Sequence, residues 1–153
     1  MRFFRHILVP TDFGAASSAA LDLAIGLAQA FEAQLTLLHV WEIPDYPYLE
    51  FMLDSPEIAR VEDAAMTGLA ERLRQAQTRL PTAKSVLRSG APWQKITSTA
   101  QELECDLIVM GTHGLRGLSR ALLGSVTEKV VRVSPVPVLT VHAATASTVN
   151  TRT

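Results

Sequence analysis

The sequence predicts an α/β protein with one open parallel sheet covered by helices on both faces, and three observations carry that reading. Short apolar runs alternate with longer amphipathic stretches along most of the chain, the rhythm of β-α units. Runs such as Ile7-Leu8-Val9 and Leu107-Ile108-Val109-Met110 are continuous rather than alternating, as expected of strands buried on both sides. Finally, Gly111-Thr112-His113-Gly114, nine further residues and Gly124-Ser125 join one such run to a helical pattern. Glycine accepts positive φ and lets main-chain N–H groups approach a ligand, and a helix start adds free donors and a positive dipole end. Such a segment suits phosphate, although glycines also punctuate ordinary strand-to-helix turns.

The elements follow in order. His6 to Pro10 reads as strand one, ended by Thr11-Asp12-Phe13-Gly14. Ala20, Leu21, Ala24, Leu27, Ala28 and Phe31 then recur at helical spacing, with Ser17 or a near neighbour as cap. Leu35 to Trp41 is strand two. Residues 42 to 53, with Pro44, Tyr46, Pro47 and Tyr48, read as an irregular loop able to cover a site. Asp54 and Glu57 form a capping-box pattern before the longest helix, whose face runs through Ile58, Val61, Ala65, Leu69, Leu73, Ala76 and Leu80. Ala83 to Arg88 is a less apolar strand three, placed near an edge. Gly90-Ala91-Pro92 turns into a helix carrying Ile96, Ala100 and Leu103. Asp106 to Met110 is strand four, Ser125 to Val133 helix four, and Val136 to Val141 the last strand, which Pro137 confines to an edge.

Composition narrows the function. The chain has 153 residues, room for one domain over residues 1–143, followed by a small polar tail, 144–153, expected to be disordered. A net charge of −1 with 19% charged residues offers nucleic acid no long-range attraction. No apolar stretch reaches membrane-spanning length, and no signal-like leader is visible. The single Cys105 excludes an internal disulfide and precedes a buried strand, so a cytoplasmic location is expected. His6 and His142 have no metal-ligand spacing, and His39 reads as a packed strand residue.

Val9-Pro10-Thr11-Asp12 after strand one, paired with G-x-x-G-x9-G-S after strand four, resembles the universal stress protein family in its ATP-binding branch. Leu38-His39-Val40, Asp106 to Gly114 and Pro135-Val136-Pro137-Val138-Leu139 also look like that family's pattern, so the match spans nearly the whole chain. The resemblance implies a five-stranded parallel, Rossmann-like sheet in the order 3-2-1-4-5. Strands one and four are then neighbours, and a ligand belongs between the loops at their carboxyl ends, where the winding reverses.

Residue roles come from the same resemblance. Asp12 and the main chain around Pro10, Thr11 and Val40 would hold adenine, the carboxylate accepting from the exocyclic amine. Met110 and Gly111 would lie under the ribose. Gly114, Gly124, Ser125 and Val126 would face the phosphates, with Thr127 as a further hydroxyl and Thr112 and His113 as flanking contacts. Arg116 and Arg120 sit inside the loop, where they either neutralise phosphates or are simply solvated. Read without a ligand, Asp12 satisfies its own loop, Phe13 packs, and Ser125 caps helix four for about 1 kcal/mol. Gly14 departs from the small polar residue common at that position. The implied cofactor is ATP, with magnesium held mainly by its phosphates, and the implied partner a second copy docked through Val136, Val138 and Val141 of the last strand.

An ATP-binding regulatory module is the expected function. A weak ATPase and a nucleotide-independent interaction domain are the alternatives. G-x-x-x-x-G-K-[ST], G-x-S-x-G and G-x-G-x-x-G are all absent, which disfavours conventional P-loop, hydrolase and dinucleotide chemistry. The intact glycine spacing favours nucleotide binding over the interaction domain.

Overall fold

The computed structural model describes residues 3–43, 54–113 and 123–143 of the chain. The expectations for Gly114, Arg116, Arg120, the tail from 144 and most of the loop from 42 to 53 lie outside the described residues.

Chain order is β1 (His6–Pro10), α1 (Ala15–Phe31), β2 (Gln34–Trp41), α2 (Pro56–Gln77), β3 (Lys84–Ser89), α3 (Pro92–Glu102), β4 (Leu107–Gly111), α4 (Ser125–Val133) and β5 (Val138–Val141). The five strands form one parallel sheet in the order β3-β2-β1-β4-β5. Strand side chains alternate between two cores, because successive residues point to opposite faces. Ile7, Val9, Leu35, Leu37, Leu107 and Val109 pack with α1 and with Leu69 and Ala76 of α2. Leu8, Leu38, Ile108 and Met110 pack on the other face with Ile96 and Ala100 of α3 and Val130 of α4. Both layers exclude water from the central strands. Their C-terminal ends are therefore rigid mounts for whatever loops follow.

β3 and β5 are the edges, as the less apolar pattern of strand three and Pro137 beside the last strand predict. β5 begins at Val138 rather than Val136, so Pro137 precedes the strand and its carbonyl accepts from Ile108 N at 3.0 Å.

Three caps differ from expectation. α1 starts at Ala15 behind an extended Gly14 with no side-chain cap. Ser17 lies inside the first turn, its Oγ 2.8 Å from Asp12 Oδ1 and 3.1 Å from the Gly14 carbonyl, so its hydroxyl serves the preceding loop instead. α2 is capped by Ser55, whose Oγ accepts from Ile58 N at 3.3 Å, not by Asp54. Pro56 at the first helical position explains the shift, since it pushes the residue before it into the extended conformation a cap requires. Glu57 falls in the first turn. At α4 the cap position belongs to Gly124, and Ser125 is the first helical residue.

Candidate functional site

A cleft of about 530 Å³ opens at the carboxyl ends of β1 and β4, where the chain reverses its winding direction. One wall is the β1–α1 turn. Asp12 Oδ1 accepts from Gly14 N and from Ser17 Oγ, both at 2.8 Å, while Oδ2 has no hydrogen bond among the described residues. One oxygen of the carboxylate thus satisfies its loop, and the residue lines the cleft.

Phe13 adopts φ +67°, a left-handed conformation that costs a residue with a Cβ about 1–2 kcal/mol. Local contacts hold it there. Its N–H donates to Thr11 Oγ1 at 3.1 Å, and its ring lies on His39 with centroids 4.3 Å apart. His39 Nδ1 is 2.7 Å from the Thr11 carbonyl, so Nδ1 carries the proton and donates. His39, expected to be a packed strand residue, therefore lines the cleft and ties β2 to this turn.

The opposite wall is the β4–α4 connection. Gly111 is required by packing, because a Cβ there would stand 2.7 Å from the backbone carbon of Ala16 and 2.9 Å from Ser17 N. The first turn of α1 thus rests directly on the end of β4. Gly124 N donates to the Thr112 carbonyl at 2.6 Å, and Thr127 Oγ1 donates to the Gly111 carbonyl at 2.8 Å. These two bonds pin the start of α4 beside β4. Gly124 supplies no side-chain cap, so among the described residues the first-turn N–H groups of α4 have no capping side chain, and Ser125, Val126 and Thr127 line the cleft.

Of the expected site residues, Pro10, Thr11, Asp12, Val40, Met110, Gly111, His113, Gly124, Ser125, Val126 and Thr127 come together around this one cleft. Thr112 stands apart. It is fully buried, and its hydroxyl sits 2.9 Å from His113 Nδ1 and 3.0 Å from His142 Nδ1, so it orders the end of the sheet. Ser17, Leu38, His39, Glu42, Pro92 and Ile96 also line the cleft and were not anticipated. Leu38 and His39 carried a signal only as part of the family's strand-two pattern, and Pro92 only as a helix start following a strand. Cys105 takes no part: burial first, and the Asp106 charge second, push its thiol up to about 12, leaving it protonated and unreactive at neutral pH.

The walls have opposite characters. The β1 and β2 side presents acceptors, Asp12 and the exposed Glu42. The β4–α4 side presents N–H donors, and the cleft's described lining contains no lysine or arginine. Such a cavity suits an elongated ligand with a donor at one end, an apolar middle against Met110, Ile96 and Val40, and an anion at the other.

The family model for the universal stress protein family matches residues 3–142. The chain belongs to the universal stress protein family. A universal stress protein of Thermus aquaticus is 35% identical over 91% of this chain and 99% of its own length. Among solved structures, the universal stress protein UspA from Lactobacillus plantarum superposes with TM-score 0.77 at 32% identity, covering 90% of this chain and 97% of that one. A universal stress protein in complex with cAMP superposes with TM-score 0.70 at 27% identity, covering 92% and 99%. Nucleotide binding therefore occurs within the family on this fold. Among the described residues no helix is long and apolar enough to cross a membrane.

Proposed function

We propose that this universal stress protein is an ATP-binding regulatory module whose ligand lies across the β1/β4 cleft. One observation carries the reading: Asp12, whose Oδ2 has no hydrogen bond among the described residues, and the start of α4, which has no side-chain cap, line the same cavity. Adenine supplies an exocyclic amine for Asp12, and Thr11 and Val40 stand beside it at the strand ends. The ribose lies over Met110 and Gly111. The phosphates meet Gly124, Ser125 and Val126, with His113 at their flank.

The nucleotide fits on the chemistry of these donors. Its anionic end meets helix-start N–H groups, and its base meets acceptors and apolar side chains, in a cavity of ordinary ligand size. Magnesium belongs on the phosphates, because among the described residues no three His, Cys, Asp or Glu side chains converge. The relative solved with cAMP supports an adenine nucleotide as the ligand class. Binding biases the β4–α4 connection and thereby what the protein associates with.

A symmetric dimer through β5 completes the reading. Val136, Val138 and Val141 are half-buried, Leu139 is 38% exposed, and among the described residues β5 pairs with β4 alone. With Pro137 ahead of the strand, the N–H groups of β5 remain available for pairing.

Denaturing the purified protein should release an adenine nucleotide identifiable by mass, and titration of the stripped protein with ATP and magnesium should show saturable binding. Replacing Gly124 by valine should weaken ATP binding at least tenfold. Absence of any adenine nucleotide binding, or equal binding by the variant, would refute the assignment.

A further inference from the structure

An arginine stands on the core-facing stripe of α2. Ala65, Leu69 and Ala76 are the buried residues of that helix, and Arg72 falls between them at helical spacing, half-buried. An arginine there is unusual, because burial of a charge needs partners. Its partners are neutral. Nη1 donates to Ser18 Oγ at 2.7 Å and Nη2 donates to the Phe13 carbonyl at 3.3 Å, and no carboxylate among the described residues pairs with it.

Phe13 is the left-handed residue of the β1–α1 turn, and it sits between Asp12 and Gly14. Four groups fix it. Thr11 takes its N–H, Arg72 takes its carbonyl, His39 lies under its ring, and Gly68, one turn before Arg72, leaves room for that ring. A Cβ on Gly68 would already stand 3.1 Å from the ring. α2 thus contributes both the donor and the space that hold this conformation, although neither residue lines the cleft.

We propose that Arg72 is the positioning residue for base recognition, acting through Phe13 to aim the free oxygen of Asp12 at the exocyclic amine of adenine. This rests on the nucleotide reading of the cleft and deepens it. Phe13 in its ordinary conformation would turn the peptides on either side of it, and Asp12 Oδ1 would lose its bond to Gly14 N. The carboxylate would then be free to rotate out of register. Arg72 therefore sets the preference for a base that donates at this position over one that presents a carbonyl, while the phosphate wall stays untouched.

The test is a titration of ATP and of GTP, each with magnesium, into wild type, Arg72→Met, Arg72→Lys, Asp12→Ala and the Asp12→Ala/Arg72→Met double variant, with thermal melts to confirm folding. Arg72→Met should weaken ATP about tenfold and GTP less than threefold, collapsing the selectivity ratio. Arg72→Lys, which keeps the charge but cannot hold both acceptors in one fork, should fall between. In the Asp12→Ala background the Arg72→Met change should have almost no further effect, because the two act in series. A folded Arg72→Met protein with wild-type selectivity, or additive losses in the double variant, would overturn the proposal while leaving the nucleotide site standing. Wild type that binds neither nucleotide would remove both. If Arg72→Met melts out, the lysine variant decides: unchanged selectivity there overturns the proposal, and reduced selectivity supports it.

Discussion

The two walls of the cleft are built on opposite plans. The β1–α1 turn spends its polar groups on itself: Asp12 Oδ1, Thr11 Oγ1, Ser17 Oγ and the Thr11 and Phe13 carbonyls are all engaged within the protein. Among its described residues, the β4–α4 wall is held by the Gly124 and Thr127 bonds to the end of β4, and its helix start has no side-chain cap. A heavily bonded wall holds one group in one direction, which suits discrimination between bases. A helix start without a side-chain cap offers several equivalent main-chain donors, which suits an anion of variable shape and length.

The sharpest way to break this contrast is to fill the donor wall with the wrong charge. Ser125 is exposed at the first position of α4, so a glutamate there is sterically tolerated and favourable to the helix dipole. It would repel phosphate. Ser125→Glu is expected to weaken ATP by roughly 100-fold, about 2.7 kcal/mol, and to leave adenosine binding within about twofold. Isothermal titration with both ligands checks this. An equal loss for adenosine would mean that the phosphates do not meet this helix.

A second variant tests whether the walls are mechanically joined. At Gly111 a backbone segment of the α1 turn rests on β4 without room for a Cβ. Gly111→Ala must push the first turn of α1 away, since backbone atoms cannot swing aside as a side chain can. Overpacking of this kind costs about 1–3 kcal/mol, and a melting temperature lower by roughly 2–10 °C is expected. Base selectivity should suffer too, because the displaced turn carries Asp12. Unchanged melting would show that the contact relaxes locally and that the walls are independent.

How much of this was legible beforehand follows the same division. Asp12 and Gly124 were readable because each follows a strand and precedes a helix, so local pattern places them at the sheet's carboxyl edge. Even so, only the strand order brings them together, and that order came from family resemblance rather than periodicity. Arg72 and Gly68 were not readable as site residues. They lie mid-helix, 59 residues from Phe13 in the case of the Arg72 bond, and their meaning depends on where α2 packs. A signal did exist in the charge on an otherwise apolar stripe. His39 was missed for a related reason: its spacing fits a buried strand, but it falls past the point where helices cover β2. Ser17 and Asp54 were misplaced as caps because capping preference is a property of residue type, whereas the choice among neighbouring candidates is made by backbone geometry, by Pro56 in one case and by Asp12 in the other.

The smallest expected effect separates two roles for one hydroxyl. Thr127 is buried, and its Oγ1 donates to the Gly111 carbonyl at 2.8 Å, yet it also lines the cleft beside the residues proposed to meet the phosphates. As a pin, it contributes stability; as a ligand group, it contributes affinity. Thr127→Val keeps the shape and removes the hydroxyl, leaving the Gly111 carbonyl short of a partner at a cost of about 1–1.5 kcal/mol. Because the hydroxyl proton is already committed to that carbonyl, a phosphate oxygen, which can only accept, has nothing to gain from it. ATP affinity should therefore change by less than about threefold, under 0.7 kcal/mol, while the denaturant midpoint falls at unchanged slope. A tenfold affinity loss with an unchanged midpoint would reverse the assignment.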